Sequence, residues 1–424
     1  MSLTAPVEKS ERNLRGLDFF LLWTGAAISL GEIWAGGLLA PLGFAGGLLA
    51  ILIGHFIGNT PMALGGVIGS RHGVPAMVST RGALGLRGSG VPAVLNAIQL
   101  VGWTAVMLWI CGHAAAGLMP EGGGFGPRGW IAIAGALTTV WALSGHRFWK
   151  WLQRVAVFLL VALSAVMTFV VLKHHGISSL LTIEPTGTLS FVQGLDLVIA
   201  MPISWLPLVS DYSRYAVNTQ GSFRGTWWGY FLAGSWMYAL GLCAALLSST
   251  ETPDGMVIQV MASVHLAGPA LIIVLLSTLT TTFLDIYSNA ISIQSILPRL
   301  NEKATVAVCG VAGTVLAIFF PATEYEQFLM FIGAMFCPLF GVVLADYFIV
   351  KKMQYVAGEL FGGLLYRYTG GFNIPAFIAW ACGIALYRFA LHAGWTCGAS
   401  VPSMAGAALL YLVLARKSKP GPAS

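Results

Sequence analysis

The 424-residue sequence is 57% hydrophobic, only 9% of its residues are charged, and its mean hydropathy is +0.80. Soluble domains carry about a quarter charged residues, so this composition excludes a soluble globular protein and indicates a polytopic membrane protein. The formal net charge of +6 would fit a nucleic-acid-binding protein, but the basic residues follow the connections between apolar segments, which favours a membrane explanation.

Apolar segments recur along the whole chain, and a membrane-spanning helix needs about 20 predominantly apolar residues. The sequence predicts twelve such spans, at 18–44, 46–68, 92–118, 128–144, 152–172, 190–209, 226–248, 267–291, 304–321, 327–350, 373–391 and 402–415. We therefore expect an all-α polytopic membrane protein in a bacterial-type inner (plasma) membrane, with the lipid bilayer as its surroundings.

The basic residues set the orientation of these spans. If the N-terminus is cytoplasmic, all but three of the 22 Lys and Arg residues fall on the cytoplasmic side, and the exceptions are Arg128, Lys173 and Arg388. Cytoplasmic connections carry the excess of Lys and Arg in membrane proteins. Both termini are therefore predicted to be cytoplasmic.

Two spans are predicted to be broken helices. The first contains the glycine-rich stretch "SLGEIWAGG", and the sixth contains Pro202 and Pro207. Proline removes a backbone donor, and a broken helix at membrane depth occurs where it is buried in protein or lines a cavity. Breaks in the first and sixth spans suit two inverted five-span halves, 18–172 and 190–350, a recurring transporter design. The alternative is that glycine and proline only aid close helix packing.

The remaining segments complete the predicted domain organisation. Residues 373–415 form two additional helices, and residues 1–17 and 416–424 form cytoplasmic tails. The six cysteines lie mostly in apolar runs without CxxC pairs, which indicates packing residues rather than a metal or redox site.

Ionisable residues inside spans are costly and are functional candidates. Of the 16 acidic residues, Glu32 and Asp285 lie well inside spans. Asp18, Asp211 and Asp346 lie near span ends, where we expect them to cap helices or to pair with arginines of the connections.

One face of the third span combines an amide pair with an indole. Asn96, Gln99 and Trp103 are three and four residues apart, so they share a helix face. An indole stacks on a flat ring, and an amide forms hydrogen bonds with the ring edge. This face fits a flat polar substrate; the alternative is an amide bonded to a neighbouring helix, with the indole as packing.

The eighth span carries a polar stripe. Ser277, Thr281, Asp285 and Ser288 follow one another at helical spacing, with Thr280 beside them. Hydroxyls and the carbonyls of a broken helix are oxygen ligands that suit a small alkali cation. Hydroxyls in membrane helices also bond to their own backbone, which is the structural alternative.

Several motifs together resemble the nucleobase–cation symporter family, the relatives of purine and cytosine permeases. They are "EIWAGG" in span one, "QLVGW" in span three, "SDYSRY" after span six, the threonine-rich span eight, "PLFGVVLADYFIVKKMQY" at span ten and the loop "HGVPAMVSTRGALGLRGS". The resemblance covers nearly the whole chain. The opening "ISLGEIWAGGLLAPLG" is most similar to the CytX subgroup, whose proposed substrate is hydroxymethylpyrimidine, a thiamin precursor.

This resemblance implies a LeuT-type fold of five plus five helices with two extra C-terminal helices, and alternating access coupled to a cation. The cation is usually sodium, with a proton as the alternative. The matched motifs place the sodium ligands at the carbonyls of Ser29, Glu32 and Ser277 and at the hydroxyls of Thr280 and Thr281.

The resemblance also implies the substrate contacts. Trp103 would stack on the substrate ring, with Gln99 on the same face and with Ser204 and Trp205 of span six nearby. The predicted substrate-binding residues are Glu32, Trp34, Asn96, Gln99, Trp103, Ser204, Trp205 and Asp285. Glu32 and Asp285 differ from the uncharged residues of the cytosine permeases, which indicates a different substrate.

Three roles are open for Glu32. Its carboxylate accepts hydrogen bonds from an exocyclic amine of a pyrimidine, which is the preferred hypothesis. It alternatively carries a proton, as Asp285 would, or bonds to the N–H groups that the helix break frees.

The predicted function is therefore cation-coupled import of a pyrimidine-type compound by a monomer. A permease for cytosine or another nucleobase is the alternative within transport. A channel would need a continuous polar stripe along several spans, and a membrane enzyme would need clustered His, Asp or Glu at a membrane face; the sequence shows neither.

Overall fold

A computed structural model of the chain describes residues 4–117, 119, 125–144, 146–247, 267–320 and 324–417, and its regular structure within these ranges is helical. The helices are α1 Gly16–Ala27, α2 Leu30–Gly37, α3 Gly43–His72, α4 Ala76–Ser79, α5 Arg81–Leu84, α6 Gly90–Gly117, α7 Pro127–Leu143, α8 His146–Leu181, α9 Phe191–Trp205, α10 Val209–Ser213, α11 Thr219–Leu247, α12 Ala267–Ile296, α13 Glu302–Ile318, α14 Tyr325–Ala345, α15 Ile374–His392 and α16 Ser400–Lys417.

Helices occupy every segment that was predicted to span. Five helical stretches in the described ranges have the length and apolar composition of a membrane span: Leu30–His72, Gly90–Gly117, Thr219–Leu247, Tyr325–Val350 and Ile374–His392. The all-α fold is therefore confirmed, whereas the count of twelve spans, the repeat relation and the domain boundaries stay predictions. Helix α8 is longer than expected and is kinked at Gly176, which has a φ of 70°.

The first span is broken between α1 and α2. Ile28 and Ser29 leave the helical conformation, and Ser29 is extended at φ −137° and ψ 156°. The Ser29 hydroxyl then accepts a hydrogen bond from the Glu32 backbone N–H at 3.2 Å and caps α2.

The sixth span is also broken, but later than the first proline. Pro202 lies inside α9, and the break comes after Trp205, at Leu206–Leu208, with Pro207 within it. The short helix α10 follows. The predicted breaks in the first and sixth spans are thus both present.

Large apolar side chains cover the outer surface of the bundle. Phe158 is 79% exposed, and Val140 and Val308 are each 66% exposed. Exposed apolar side chains on many helices are unfavourable in water and favourable against lipid tails. This surface agrees with a protein that the bilayer surrounds.

The three acidic residues near span ends are all engaged. Asp18 forms an ion pair of 2.5 Å with Arg154, and the Asp211 carboxylate accepts a hydrogen bond from the first N–H of α4, at Ala76 (2.9 Å). Asp346 differs from the prediction, because its carboxylate accepts hydrogen bonds from the hydroxyls of Tyr355 (2.7 Å) and Tyr411 (2.6 Å) instead of binding an arginine or capping a helix.

Two carboxylates fasten the last helix to the rest of the bundle. Asp346 binds Tyr411 of α16, and Asp196 of α9 accepts hydrogen bonds from the backbone N–H groups of Ala399 (2.8 Å) and Ser400 (2.9 Å). Asp196 thus caps α16 from another helix. A carboxylate at a helix N-terminus also interacts favourably with the helix dipole.

We expect Asp196→Asn to destabilise the protein by about 1–2 kcal/mol, because the amide keeps one acceptor oxygen and turns an NH₂ group toward a backbone N–H. Thermal unfolding of the purified transporter, followed by tryptophan fluorescence, measures the effect. Glu184→Gln makes the same chemical change at an exposed position and serves as the control. Equal unfolding temperatures for the two variants would contradict the capping role.

Candidate functional site

Glu32 lies in the first turn of α2, where its side chain is 1% exposed. The hydroxyl of Tyr230, on α11, donates a hydrogen bond to Glu32 Oε1. Glu32 Oε2 is buried and has no hydrogen-bond partner among the described residues. One oxygen of the carboxylate is therefore held by the protein, and the other makes no hydrogen bond within the described residues.

Close helix packing brings α2 to α11. A Cβ atom at Gly36 would overlap the carbonyl of Tyr238, and one at Gly241 would overlap the carbonyl of Ile33. Only glycine allows this approach at both positions. The two glycines thus set the separation at which the Tyr230 hydroxyl reaches Glu32.

Trp205, the last residue of α9, extends this contact to the second helix break. Its indole Nε1–H donates to the Tyr230 hydroxyl at 2.9 Å. Trp23 of α1 packs edge-on against Trp205, with 5.6 Å between the ring centroids. Residues beside both breaks are therefore linked through a single tyrosine.

Asn96 and Gln99 on α6 form hydrogen bonds through some of their amide atoms and leave one amide oxygen without a partner. Gln99 Nε2 donates to Asn96 Oδ1 (2.8 Å) and to the Ser204 carbonyl (2.9 Å), whereas Gln99 Oε1 is buried without a partner among the described residues. Asn96 Nδ2 donates to the Ser292 hydroxyl at 2.8 Å. Asn96 thus connects α6 to α12 and supports Gln99. The Ser204 hydroxyl donates a hydrogen bond to the Met201 carbonyl within α9.

Aromatic residues pack around Trp103, which lies one helical turn from Gln99 on α6. Trp103 contacts Tyr325 edge-on, with ring centroids 6.1 Å apart, and the Tyr325 hydroxyl donates to the Gly31 carbonyl at 3.0 Å. Trp34 stacks on Tyr325 at a centroid distance of 4.2 Å. Trp103 Nε1 is buried and has no partner in the described part of the chain.

These contacts close into a ring. Gln99 binds the Ser204 carbonyl, Trp205 follows Ser204 and binds Tyr230, and Tyr230 binds Glu32. Gly31 precedes Glu32 and binds Tyr325, which contacts Trp103, one helical turn from Gln99. We call this closed set of contacts the site ring. Its members come from α2, α6, α9, α11 and α14, and they are Gly31, Glu32, Gln99, Trp103, Ser204, Trp205, Tyr230 and Tyr325.

Two predicted substrate residues stand outside the ring. Trp34 stacks on Tyr325 but forms no hydrogen bond with a member of the ring among the described residues. Asp285 is 2% exposed, and no contact in the described ranges joins it to the site ring. Its neighbours Leu284 and Ser288 on α12 form hydrogen bonds with the Tyr212 hydroxyl of α10.

A set of oxygen atoms meets where α1 ends. The last carbonyls of a helix lack partners inside the helix. Those of Thr24 and Ala27 accept from Ile28 N and Ser29 N, whereas those of Gly25 and Ala26 face the hydroxyls of Thr280 (3.4 Å) and Thr281 (3.3 Å) of α12.

The predicted sodium ligands fall partly within this set. Thr280 and Thr281 lie in it, and the Ser277 carbonyl accepts from the Thr280 hydroxyl at 3.1 Å. The Ser29 carbonyl instead accepts from Ile33 N at 3.2 Å, and Glu32 lies inside α2. The carbonyls that face the threonines therefore belong to Gly25 and Ala26. They lie at least three residues before Ser29 and Glu32, whose carbonyls were the predicted ligands from this break.

A family model described as a permease for cytosine/purines, uracil, thiamine and allantoin matches residues 6–414. The chain belongs to this permease family. The resemblance to nucleobase–cation symporters is thereby confirmed, and so is the expectation that the protein is a transporter and not an enzyme.

Individual relatives agree with this membership. The cytosine permease of Escherichia coli K12 is 28% identical over 416 residues, which is 96% of this chain and 93% of the relative. The structure of Mhp1, a nucleobase-cation-symport-1 family transporter with bromovinylhydantoin bound, matches 98% of this chain and 94% of its own, with a TM-score of 0.87 and 22% identity. The structure of a Na⁺-coupled sialic acid symporter matches 97% of this chain and 92% of its own, with a TM-score of 0.72 and 13% identity.

The main residues of this permease site that the sequence analysis missed are tyrosines. Tyr230 and Tyr325 are 0% and 1% exposed and complete the site ring. A signal was present in α11, where Tyr230, Gly234, Tyr238 and Gly241 follow one another at steps of four, four and three. Such spacing places two tyrosines and two small residues on one helix face.

We expect Gly241→Ala to abolish uptake and to destabilise the permease by roughly 1–3 kcal/mol, because the methyl group forces α2 away from α11 and separates Glu32 from Tyr230. Uptake assays and thermal unfolding of the same preparation measure both effects. Gly90→Ala is the control, since an added Cβ there meets no atom within 4 Å. Uptake at the control level in Gly241→Ala would contradict the packing argument.

Proposed function

We propose that this permease imports a pyrimidine-type compound together with sodium by alternating access, with hydroxymethylpyrimidine as the candidate substrate. The proposal places it in a bacterial-type inner membrane as a monomer with both termini in the cytoplasm. The family description and the cytosine permease relative support a base-like substrate.

The observation that carries the proposal is the set of free polar atoms in the site ring. Glu32 Oε2 and Gln99 Oε1 are buried hydrogen-bond acceptors without partners among the described residues. A buried acceptor without a partner is costly, so a ligand that supplies donors to both gains affinity. An aminopyrimidine supplies N–H donors at its ring edge, and a hydroxymethyl group supplies an O–H donor.

The aromatic members of the ring suit a flat substrate. Trp103 and Trp205 are each 6% exposed and come from different helices. Indole faces stack on heteroaromatic rings and exclude water, which strengthens the hydrogen bonds at the ring edge. We assign Glu32, Gln99, Trp103 and Trp205 to substrate contact and Asn96 to the support of Gln99.

The remaining predicted substrate residues receive other roles in this proposal. Trp34 covers Tyr325 and closes the site from the side of α2. Ser204 contributes its carbonyl, which holds Gln99, and Asp285 acts at the contact between α12 and α10.

Sodium is the coupling ion in this proposal. The carbonyls of Gly25, Ala26 and Ser277 and the hydroxyls of Thr280 and Thr281 form an oxygen set beside the first break. Carbonyls that a broken helix frees coordinate the coupling ion in transporters of inverted-repeat design. The Na⁺-coupled sialic acid symporter, which shares the fold, supports this choice.

The ion set and Glu32 lie on opposite sides of one break, at the end of α1 and the start of α2. A small movement of either half-helix changes both sites together. This arrangement couples ion binding to substrate binding. The alternative is coupling to a proton that Glu32 or Asp285 carries.

Uptake of labelled hydroxymethylpyrimidine into proteoliposomes tests the function directly. We expect saturable accumulation that needs an inward sodium gradient at equal pH on both sides and that the unlabelled compound inhibits. Protein-free liposomes under the same gradient are the control. Accumulation that needs only a proton gradient would overturn sodium coupling, and uptake of cytosine but not of hydroxymethylpyrimidine would overturn the substrate.

We expect Thr281→Val to raise the sodium concentration for half-maximal uptake about tenfold, because the change removes one oxygen ligand and keeps the side-chain shape. Sodium titration of uptake measures the shift. Thr282→Val removes the neighbouring hydroxyl, which has no partner among the described residues and lies outside the oxygen set. Equal sodium dependence in the two variants would exclude Thr281 from the ion site.

A further inference from the structure

Tyr230 is completely buried on α11, and it is the member of the site ring that joins the two broken helices. Its hydroxyl binds Trp205, at the end of α9, and Glu32, at the start of α2. The neighbouring tyrosine on the same face, Tyr238, is also completely buried, but its hydroxyl has no partner among the described residues.

When Glu32 is ionised, as acceptance of a hydrogen bond from a substrate amine requires, the chemistry of the partners fixes the direction of this hydrogen-bond chain. An indole N–H only donates, so the Tyr230 oxygen accepts from Trp205. The single Tyr230 proton then goes to Glu32 Oε1, which acts as an acceptor. Glu32 cannot rotate to present Oε1 elsewhere without losing this bond, and Oε2 is the oxygen that has no hydrogen-bond partner among the described residues.

We propose that Tyr230 is a positioning residue for substrate recognition. Its hydroxyl orients the Glu32 carboxylate so that Oε2 accepts a hydrogen bond from the exocyclic amine of an aminopyrimidine. This inference rests on the proposed function of Glu32. In this proposal Tyr230 does not touch the substrate. By orienting Glu32, it determines which arrangement of hydrogen-bond donors on a substrate the site ring binds.

A purely structural role for Tyr230 would rest on its ring and on the hydrogen bond that its hydroxyl accepts from Trp205. The ring packs edge-on against Trp23 (6.4 Å between centroids) and Trp205 (6.5 Å) and lies 6.1 Å from His55. Tyr230→Phe keeps these contacts and removes only the hydroxyl. The matched control is Tyr238→Phe, which removes an unpartnered hydroxyl two turns further along the same helix.

The test is calorimetric binding to the full-length permease in lipid nanodiscs at saturating sodium. The probes are hydroxymethylpyrimidine, cytosine and the hydroxymethylpyrimidine analogue with hydrogen in place of the 4-amino group. We expect Tyr230→Phe to weaken binding of the amino compounds about tenfold and of the analogue less than threefold, with Tyr238→Phe within twofold of the wild type for all three.

A double variant shows whether Tyr230 acts through Glu32. Glu32→Gln should weaken binding of the amino compounds at least tenfold, and adding Tyr230→Phe to it should change the affinity by less than twofold. Independent contributions, or equal behaviour of Tyr230→Phe and Tyr238→Phe, would overturn the positioning role while leaving the proposed function intact. A wild-type protein that binds none of the three probes would instead overturn the proposed function and this inference with it.

Discussion

Backbone groups that leave a helix inside a membrane must find partners in the protein, because lipid offers none. Both interruptions of this bundle obey that constraint. After α1 ends at Ala27, some of the freed carbonyls bind the next backbone N–H groups, and those of Gly25 and Ala26 face threonines of α12. After α9 ends, the Ser204 carbonyl binds the Gln99 amide. The polar centre of the protein therefore follows from the two helix ends.

Much of this centre was predictable, because charges, amides and prolines inside apolar segments are rare enough to identify functional positions. Glu32 and Gln99 were selected as candidate positions in this way, Trp103 was selected because it shares a helix face with Gln99, and the two breaks were predicted from glycine and proline. Tyr230 was not, because tyrosine is common in membrane helices and its bond to Glu32 joins residues 198 apart in sequence. A pattern within one helix does not indicate which of its tyrosines meets a carboxylate on another.

Two other differences have physical causes. The sequence predicts a break near "SLGEIWAGG", but which carbonyls the break frees depends on the residue at which α1 ends, and glycine-rich sequence leaves that residue undefined. Asp285 was selected for its charge, but the direction of a side chain around a helix depends on how α12 packs. No contact among the described residues joins Asp285 to the site ring, whereas its neighbours Leu284 and Ser288 on α12 form hydrogen bonds with the Tyr212 hydroxyl.

The carboxylate of Asp196 has a consequence for the minimal size of this transporter. Asp196 belongs to α9, the helix that precedes the second break, yet its two oxygens accept hydrogen bonds from Ala399 N and Ser400 N at the start of α16. A shortened chain without the last two helices would leave this buried carboxylate without those donors. The chain without α15 and α16 is therefore not a self-sufficient unit, and any evolutionary or engineered loss of this C-terminal pair requires a compensating change at position 196.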